Sequence, residues 1–298
     1  MLSRFLPAFI VGSISLFLHT INTFIWVPLI LVIAIVKLLL PLKLITTGCN
    51  LLLNFFASSW ISVNSVIHKL TKSVQWDVSI PENLSTKEWY MVIANHQSWA
   101  DILVLQQVFN GKIPFLKFFL KQQLFWVPVL GLAWWALDFP FMKRFTKSYI
   151  RKNPHKKGKD FETTKKACEK FKSIPISIMN FTEGTRFTQE KKERQNSPYQ
   201  HLLKPKSGGI GYVLTLMGNE IHKVINVTIN YPDDKQHGFW DFLCGKVGRV
   251  TVHAELIEIP TEVKGNYIED PENRKKVQKW MNGLWLEKDQ YLATKKRS

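Results

Sequence analysis

Hydrophobic residues dominate the first forty positions of the chain. The sequence over 5–42 is almost free of charge, and its last 19 residues (24–42) would form a helix of roughly 28 Å, enough to cross a bilayer core. A shorter apolar run over 7–18 is separated from it by the polar residues 19–23. The pattern predicts either one long membrane helix or a re-entrant hairpin of two.

A cleaved signal peptide is the alternative for this region. The apolar run is too long for such a peptide, Arg4 is the only cation before it, and no A-x-A site follows. Residues 46–49 partly match a lipoprotein cleavage site, but Thr46 stands where Leu is expected. We therefore expect the segment to be retained, with residues 1–45 as a membrane anchor.

The next segment, 46–74, combines a linker with a stretch of amphipathic character. Apolar residues follow near-helical spacing at Leu52, Phe55, Phe56, Trp60, Val63, Ile67 and Leu70. This spacing predicts an amphipathic helix over Leu51–Leu70. The helix could lie along the membrane interface or pack under the main domain, and the pattern fits both.

Beyond residue 74, short runs typical of strands alternate with longer runs at helical spacing. The strand candidates are Gln75–Ile80, Trp89–Ala94, Ile113–Leu116, Pro175–Phe181, Lys223–Tyr231 and Arg249–Ile259. The helix candidates are Trp99–Phe109, Lys156–Lys172, Lys206–Gly218 and Pro271–Leu292. The alternation predicts one α/β domain over 75–298, with a largely parallel central sheet flanked by helices, behind an N-terminal membrane-embedded helical segment.

The charge is strongly positive, with 40 Lys and Arg against 23 Asp and Glu, a net charge of +17. That balance indicates an anionic partner, either nucleic acid or a membrane surface, and the apolar N-terminal segment favours the membrane. Twelve of the cations fall within 143–172, a stretch expected on the cytoplasmic side. The three cysteines, at 49, 168 and 244, form no disulfide or zinc pattern.

A histidine and an aspartate five positions apart follow the apolar strand Trp89–Ala94. At a strand end that turns into a helix, the Asp101 carboxylate can accept the Nδ1–H of His96 and fix its tautomer. Nε2 is then free to take a proton from a hydroxyl. Read alone, the spacing is more often structural, with His96 satisfying a loop and Asp101 starting a helix.

A second polar loop follows the apolar strand that ends at Phe181. Glu183-Gly184-Thr185-Arg186 combines a flexible turn, open backbone N–H groups, a hydroxyl and a guanidinium. This set suits a phosphate monoester, which Arg186 would bind through two hydrogen bonds and Thr185 through one. Glu183 could orient Arg186 or hold a substrate hydroxyl. An ordinary polar turn is the alternative.

Together, His96-x₄-Asp101 and Phe181-Thr182-Glu183-Gly184-Thr185-Arg186 resemble the glycerolipid acyltransferase family, which includes 1-acylglycerol-3-phosphate O-acyltransferases. Residues 138–144, Asp-Phe-Pro-Phe-Met-Lys-Arg, resemble its second motif, whose last Arg is implicated in phosphate binding. Residues 224–229 resemble its fourth motif, a strand near the acyl-binding region. The likeness covers about 89–231, in the family's order.

The resemblance implies a membrane-anchored O-acyltransferase of the HxxxxD type. His96 would be the base and Asp101 its orienting partner. The substrate-binding residues implied are Lys143, Arg144, Glu183, Gly184, Thr185 and Arg186. The acceptor would be a lysophospholipid, with 1-acylglycerol-3-phosphate leading and another headgroup next. Acyl-CoA or an acylated carrier protein would be the co-substrate, and no metal or bound cofactor is implied.

The sequence departs from the family pattern at two positions, with Thr182 and Asn226 where many members have Pro. Both departures resemble the animal lysophospholipid branch, and they leave the headgroup and acyl preference open. The overall likeness is to YihG-type probable acyltransferases of bacteria. It implies an inner-membrane location with the catalytic domain in the cytoplasm.

Other classes of protein fit less of the sequence. A serine hydrolase would need a G-x-S-x-G elbow, which Ser207-Gly208-Gly209-Ile210-Gly211 does not supply, and the sequence has no nucleotide-binding glycine loop. A non-enzymatic basic tether at the membrane fits the charge and the apolar segment, but leaves His96, Asp101 and Arg186 unexplained. Nucleic-acid binding fits the charge alone, and we expect none.

Overall fold

The structure, a computed structural model, describes residues 1–142, 151–152, 159–232 and 238–295. The described α-helices of five or more residues are α1 (Ala8–Leu39), α2 (Lys43–Thr71), α3 (Asp101–Phe109), α4 (Leu130–Ala136), α5 (Lys159–Phe171), α6 (Gln189–Arg194), α7 (Gly208–Met217), α8 (Phe239–Leu243) and α9 (Pro271–Lys295). The described strands are β1 (Gln75–Ser79), β2 (Trp89–Ala94), β3 (Leu116–Phe118), β4 (Leu120–Lys121), β5 (Phe141–Met142), β6 (Ser177–Phe181), β7 (Ile221–Asn230) and β8 (Arg249–Glu258).

Six strands form the central sheet in the order β1-β8-β7-β2-β6-β3, and β4 pairs with β5 separately. Every neighbouring pair in the large sheet is parallel except β7 and β8. β2 lies inside the sheet, and from Tyr90 onward its residues are fully buried. That burial explains its nearly continuous apolar sequence. The predicted fold class, a largely parallel sheet flanked by helices, is confirmed.

Both faces of the sheet are covered. One face packs against α1, α2, α3 and α4 through residues such as Ile30, Leu53 and Val104. The other packs against α5, α7 and α9 through Ile210 and Trp285 among others. The apolar helices α1 and α2 therefore contribute to the hydrophobic core on one side. Their other side exposes apolar side chains.

Most predicted elements lie close to their observed positions, and one strand was wrong. The strand predicted over Ile113–Leu116 begins only at Leu116, because α3 ends in a turn in which Gly111 has φ of 76° and Pro114 has no N–H for a ladder. The helix predicted over Lys156–Lys172 begins outside the described residues. Its described part is α5.

α1 runs without interruption through both apolar parts of the N-terminal sequence. Pro28 removes one backbone hydrogen bond from its interior without ending it. The hydroxyls of Thr20 and Thr23 donate to carbonyls four residues earlier, at 2.9 and 2.8 Å. The structure therefore has one helix in this region, and not a hairpin within residues 5–42.

The polar interval within α1 contacts α2, which returns antiparallel to it. The side-chain amide of Asn22 donates to the carbonyl of Trp60 at 3.0 Å and to Oδ1 of Asn64 at 2.9 Å. Nε2 of His19 lies 3.0 Å from Nε2 of His68. The interval that the sequence presented as a break is therefore a polar link between two helices.

The predicted amphipathic helix lies inside the longer α2. Leu53, Ala57 and Ile61 form a buried stripe against the rest of the protein, while Leu52 and Phe55 are exposed. α2 thus has the buried stripe of a core helix and the exposed apolar side chains that an interfacial helix would need.

The main domain contacts α1 near both ends of the helix. A Cβ on Gly12 would lie 2.6 Å from Sγ of Cys244 in α8's C-terminal turn, and Lys37 forms an ion pair with Asp138 after α4. The outward side of α1 is apolar and exposed, including Phe9, Phe17, Phe24, Leu29, Val32, Ile35 and Leu38.

α1 and α2 are both long and apolar enough to cross a membrane, by length and composition. Their exposed apolar side chains suggest membrane association, because soluble surfaces rarely carry contiguous apolar patches of this extent. The division of the chain into 1–45, 46–74 and 75–298 stays a prediction.

Candidate active site

Three segments meet at the carboxyl-terminal edge of the parallel strands. β2 leads into residues 95–101, its neighbour β6 leads into residues 182–188, and β7 on the other side leads to Tyr231. Parallel neighbours end at the same edge of a sheet, which is where α/β proteins gather their functional side chains. The two sequence motifs are therefore brought together.

His96 and Asp101 form the pair that their spacing predicts. Nδ1 of His96 lies 2.8 Å from Oδ2 of Asp101. Because an ionised carboxylate only accepts, Nδ1 carries the hydrogen and Nε2 keeps its lone pair. The His96 side chain is 14% exposed, so Nε2 belongs to an imidazole that is oriented yet accessible.

Asp101 is fully buried and accepts four hydrogen bonds. Its Oδ2 also accepts from the backbone N–H groups of Gln97 and Ser98, at 2.6 and 2.9 Å. Its Oδ1 accepts from the hydroxyl of Tyr231 at 2.7 Å. Burial and the adjacent carboxylate raise the pKa of Tyr231 well above its ordinary value, so its hydroxyl remains a donor. The carboxylate that orients His96 is itself fixed.

Two further contacts hold His96 in place. Its ring stacks on Phe181, with centroids 4.0 Å apart and an interplanar angle of 19°. The preceding residue, Asn95, exchanges two 2.8 Å hydrogen bonds with the backbone of Ile229 in β7. The histidine is thus fixed between the ends of β6 and β7.

Glu183 lies beneath the site rather than in it. Its side chain is fully buried; Oε2 accepts from the backbone N–H of His96 at 3.3 Å and Oε1 from that of Leu203 at 3.2 Å. The predicted roles, orienting Arg186 or holding a substrate hydroxyl, do not match these contacts. Because the Glu183 side chain is buried and accepts from two backbone N–H groups, it connects the His96 loop to the segment around Leu203.

A buried lysine from the C-terminal helix balances that carboxylate. Lys288 of α9 is 2% exposed, donates to the carbonyl of Val227, and attracts Glu183 electrostatically. Burial raises the pKa of Glu183 to about 8, while the amides of His96 and Leu203 and the charge of Lys288 oppose that shift. Burial likewise lowers the pKa of Lys288 to about 7, against the attraction of Glu183.

The exposed part of the second motif carries donors. Gly184 has φ of 70°, a conformation that glycine adopts without strain. The ammonium of Lys191 donates to Oγ1 of Thr185 at 3.0 Å and to the carbonyl of Arg186 at 2.9 Å. The guanidinium of Arg186 lies 4.8 Å from the ring centroid of Trp99, a cation–π contact at the start of α3. Two cations therefore flank Thr185.

Two of the predicted substrate-binding residues, Lys143 and Arg144, lie outside the described residues. Within the described part of the chain, no group of three or more His, Cys, Asp and Glu side chains is placed to hold a metal ion. The expectation that the reaction needs neither metal nor bound cofactor stays a prediction.

Three residues at this edge were not singled out as site residues from the sequence: Tyr231, Lys191 and Lys288. Tyr231 stood at the end of a predicted strand, and nothing local marks its hydroxyl as a partner of Asp101. Lys191 lies in the basic run after Arg186. Lys288 lies on a helix whose buried and exposed positions are mixed, so only the tertiary structure identifies it.

Comparison with protein families places the chain in a class. A family model described as Acyltransferase matches residues 75–229, which contain both motif loops. The match covers more than half of the chain, so the chain belongs to the Acyltransferase family.

Curated relatives carry more specific names. The chain is 26% identical over 220 residues to 1-acyl-sn-glycerol-3-phosphate acyltransferase delta of Bos taurus, covering 69% of this chain and 52% of that protein. It is 26% identical over 218 residues to the gamma enzyme of Homo sapiens, covering 68% and 52%. The chain thus spans about half the length of these relatives.

A solved structure also aligns with the chain. It is the 1-acyl-sn-glycerophosphate acyltransferase PlsC of Thermotoga maritima, with a TM-score of 0.45 and 17% identity. The alignment covers 91% of this chain and 98% of that one.

Proposed function

We propose that the protein transfers a fatty acyl group from a thioester to the free hydroxyl of a lysophospholipid. The observation that carries this proposal is the His96 imidazole, which is held through Nδ1 by a buried Asp101 and belongs to a side chain that is 14% exposed. The names of the relatives favour 1-acylglycerol-3-phosphate as acceptor, giving phosphatidic acid. The donor is acyl-CoA or an acylated carrier protein.

In this reaction Nε2 of His96 takes the proton of the acceptor hydroxyl while its oxygen attacks the thioester carbonyl carbon. Asp101 holds the tautomer and stabilises the imidazolium that forms. The carbon–sulfur bond then breaks, and the imidazolium returns the proton to the departing thiolate. The products are an ester and a free thiol, with no group left on the protein.

Positioning of the acceptor is the second part of the proposal. Thr185 and Arg186 lie on the loop beside His96, and Lys191 lies in the first turn of α6 that follows; the three supply donors suited to a phosphate. Lys143 and Arg144, from the second motif, are proposed to join them. Fixing the hydroxyl beside its base can lower the barrier by roughly 7–11 kcal/mol in the best model reactions.

Glu183 has a positioning role in this scheme. Its carboxyl group accepts hydrogen bonds from the backbone N–H groups of His96 and Leu203. It therefore holds the His96 loop against the segment that follows α6. It does not contact substrate. The acyl chain itself needs an apolar path, and the exposed apolar side chains of α1 and α2 support the proposal that lipid lies next to the protein.

The proposed location is a bacterial inner membrane, with the domain on its cytoplasmic side. The net charge of +17 supports contact with anionic headgroups, to which each nearby cation contributes about 1 kcal/mol. Arg151, Lys165 and Lys166 of the basic stretch are exposed, as this contact requires.

The test is thiol release from oleoyl-CoA by the purified, detergent-solubilised protein with 1-acylglycerol-3-phosphate, comparing wild type with His96→Ala. Release that depends on the acceptor and disappears in the variant supports both the reaction and the base. Release with other lysolipids only would keep the chemistry and change the acceptor. No release from either donor class with any lysolipid would favour the non-enzymatic membrane tether.

A further inference from the structure

A pocket lies between the carboxyl-terminal end of α1, the end of α4 and one face of α5. Its volume is about 300 Å³, within the range of small-ligand sites. Three lysines and one aspartate line it, and they are Lys37, Lys166, Lys170 and Asp138. The rest of the described lining is mostly apolar, and it includes no residue of the loops that contain His96 and Arg186.

The lysines of this pocket outnumber the single carboxylate that they share. Oδ1 of Asp138 lies 2.9 Å from Nζ of Lys170, and Oδ2 forms an ion pair with Lys37. Lys117 of β3, which is 7% exposed, attracts the same carboxylate. Burial by itself would raise the pKa of Asp138, but Lys117 and Lys37 hold that pKa below its ordinary value. Even with Asp138 ionised, the three lysines of the lining leave the pocket with a formal charge of +2.

The pocket lies at one end of the exposed apolar surface of α1. Leu38 belongs to its lining, and both Leu38 and Leu39 are exposed. On the side of α4, Trp135 lines the pocket and is 44% exposed, and Leu132 in the preceding turn is exposed as well. Tryptophan and lysine side chains at the end of a long apolar helix are typical of the level where hydrocarbon meets headgroups.

We propose that this pocket holds the headgroup of an anionic phospholipid of the surrounding membrane, with the phosphate on the three lysines and the acyl chains along the outer side of α1. The net positive charge favours an anion, and the adjoining apolar surface favours an anion that has hydrocarbon chains. Basic pockets beside membrane helices bind headgroups in this way. A free phosphate would satisfy the lysines but leave Leu38 and Trp135 against water.

The bound lipid is neither consumed nor formed in the proposed acyl transfer. Its phosphate would lie where the ion pair of Lys37 with Asp138 connects α1 to the main domain, so it would stabilise that junction. This site differs from the general attraction of a basic protein to a membrane, because it takes one lipid and depends on particular lysines.

The experiment measures, by native mass spectrometry, how tightly the full chain in neutral detergent retains dioleoylphosphatidylglycerol and the zwitterionic dioleoylphosphatidylcholine. Wild type is compared with Lys166→Gln/Lys170→Gln and with the matched control Lys165→Gln/Lys172→Gln. Both double variants lose two lysines from the same segment, but Lys165 and Lys172 do not line the pocket. The general electrostatic attraction is therefore reduced equally in the two.

We expect wild type to retain one phosphatidylglycerol in preference to phosphatidylcholine. Lys166→Gln/Lys170→Gln should weaken that binding about 10- to 30-fold, the loss expected for two cations beside a headgroup, and the control by less than about threefold. Equal weakening in the two double variants, or equal retention of both lipids by wild type, would overturn the proposal.

Asp138→Asn gives a test of opposite sign. Asparagine has nearly the same shape and tolerates the φ of 56° at this position. Without the carboxylate, the lysines are free for the lipid, so phosphatidylglycerol should bind at least about threefold more tightly. Weaker binding would contradict a site in which the phosphate and Asp138 share the same lysines.

Two further measurements identify the occupant. Glycerol 3-phosphate has the phosphate without the chains, and we expect it not to displace the lipid; displacement would reassign the pocket to a soluble phosphate compound. The KM for 1-oleoylglycerol-3-phosphate should stay within about threefold in Lys166→Gln/Lys170→Gln. A rise of tenfold or more would make the pocket part of the acceptor site instead. Lipid retention is measured without turnover, so its outcome is independent of whether the proposed reaction is found.

Discussion

The His96–Asp101 pair and the His19–His68 pair differ in what the second nitrogen of each histidine ring contacts. At the sheet edge, His96 bonds a carboxylate through Nδ1, and its Nε2 has no partner among the described residues. Between α1 and α2, His19 uses Nδ1 on the carbonyl of Ser15 at 2.6 Å and Nε2 on His68. His68 in turn uses Nδ1 on Gln107 at 3.0 Å.

Under the proposed function, this difference separates a reactive histidine from a structural one. A general base needs an anionic partner that stabilises its protonated form and an open nitrogen that the substrate can reach. The sheet-edge pair has both. The helix pair has no carboxylate among these contacts, and both nitrogens of each ring are bonded, so its contribution is to hold α1, α2 and α3 together.

The largest expected difference is between a variant that removes His96 and a variant that removes His19. We expect His96→Ala to lower kcat/KM by at least about 10³-fold, in the range that general-base removal produces. His19→Phe should change it less than about threefold. Thiol release, with thermal unfolding as the folding control, measures both. Comparable losses of turnover in the two variants would contradict the distinction.

Asp101→Asn sharpens the role of the carboxylate. The amide keeps the shape but can present an N–H to Nδ1 and favour the wrong tautomer, so kcat should fall about 10²- to 10³-fold, less than in His96→Ala. KM for the acceptor should stay within about threefold. A fall in kcat as deep as that of His96→Ala would show that Asp101 does more than orient the base.

Lys288→Met tests the support beneath His96. Removing the positive charge should raise the pKa of Glu183 further above about 8, so more of this residue is protonated near pH 7 and its bond to the His96 backbone weakens. We expect kcat to fall roughly tenfold at pH 7 and less at pH 9, where the carboxylate reforms, as estimated from one charge-assisted bond.

The pH profile distinguishes this positioning role from general destabilisation. Lys288→Arg should recover most of the activity at pH 7. A loss in Lys288→Met that is equal at both pH values, or that follows the unfolding temperature, would argue for packing alone.

Tyr231→Phe removes one of the four hydrogen bonds to Asp101 while keeping the ring. Losing a hydrogen bond to a charged group costs about 1.5–3 kcal/mol, part of which the three remaining donors can offset. We expect kcat to fall roughly three- to tenfold with KM unchanged. Unaltered kcat would mean that the two backbone amides and His96 suffice.

Asn22→Ala should give the smallest effect on catalysis and a measurable one on stability. It removes two hydrogen bonds between α1 and α2, worth about 1 kcal/mol in membrane-type helix pairs. Unfolding in detergent should become easier, while kcat stays within about twofold. A change in kcat without a change in stability would show that the contacts between α1 and α2 affect the site. The distinction between the structural helix pair and the His96–Asp101 pair would then fail.

The sequence predicted the parts of the site that are local. β2 has the predicted bounds, and His96 and Asp101 pair across the short loop between the end of β2 and the start of α3, as their spacing predicts. Tyr231 and Lys288 could not be predicted, because their hydrogen bonds join positions more than 60 residues apart. The roles predicted for Glu183 followed from its position in a polar loop, but its side chain is buried.

For a related reason, the polar interval of α1 left the sequence prediction open between one long helix and a hairpin. Asn22 interrupts an apolar pattern, and such an interruption resembles a turn when the partner helix is unknown. The amide has its partners on α2, so the helix continues. Hydropathy along one segment cannot show which polar groups a distant segment satisfies.

The support of the His96 loop by Lys288 has a consequence for synthesis. Nearly 200 residues separate the two, and a ribosome adds about 5–20 residues per second, so His96 is synthesised roughly 10–40 s before Lys288. The apolar pair α1 and α2 emerges before either. The nascent chain therefore exposes its two long apolar helices well before the His96 loop has its buried support.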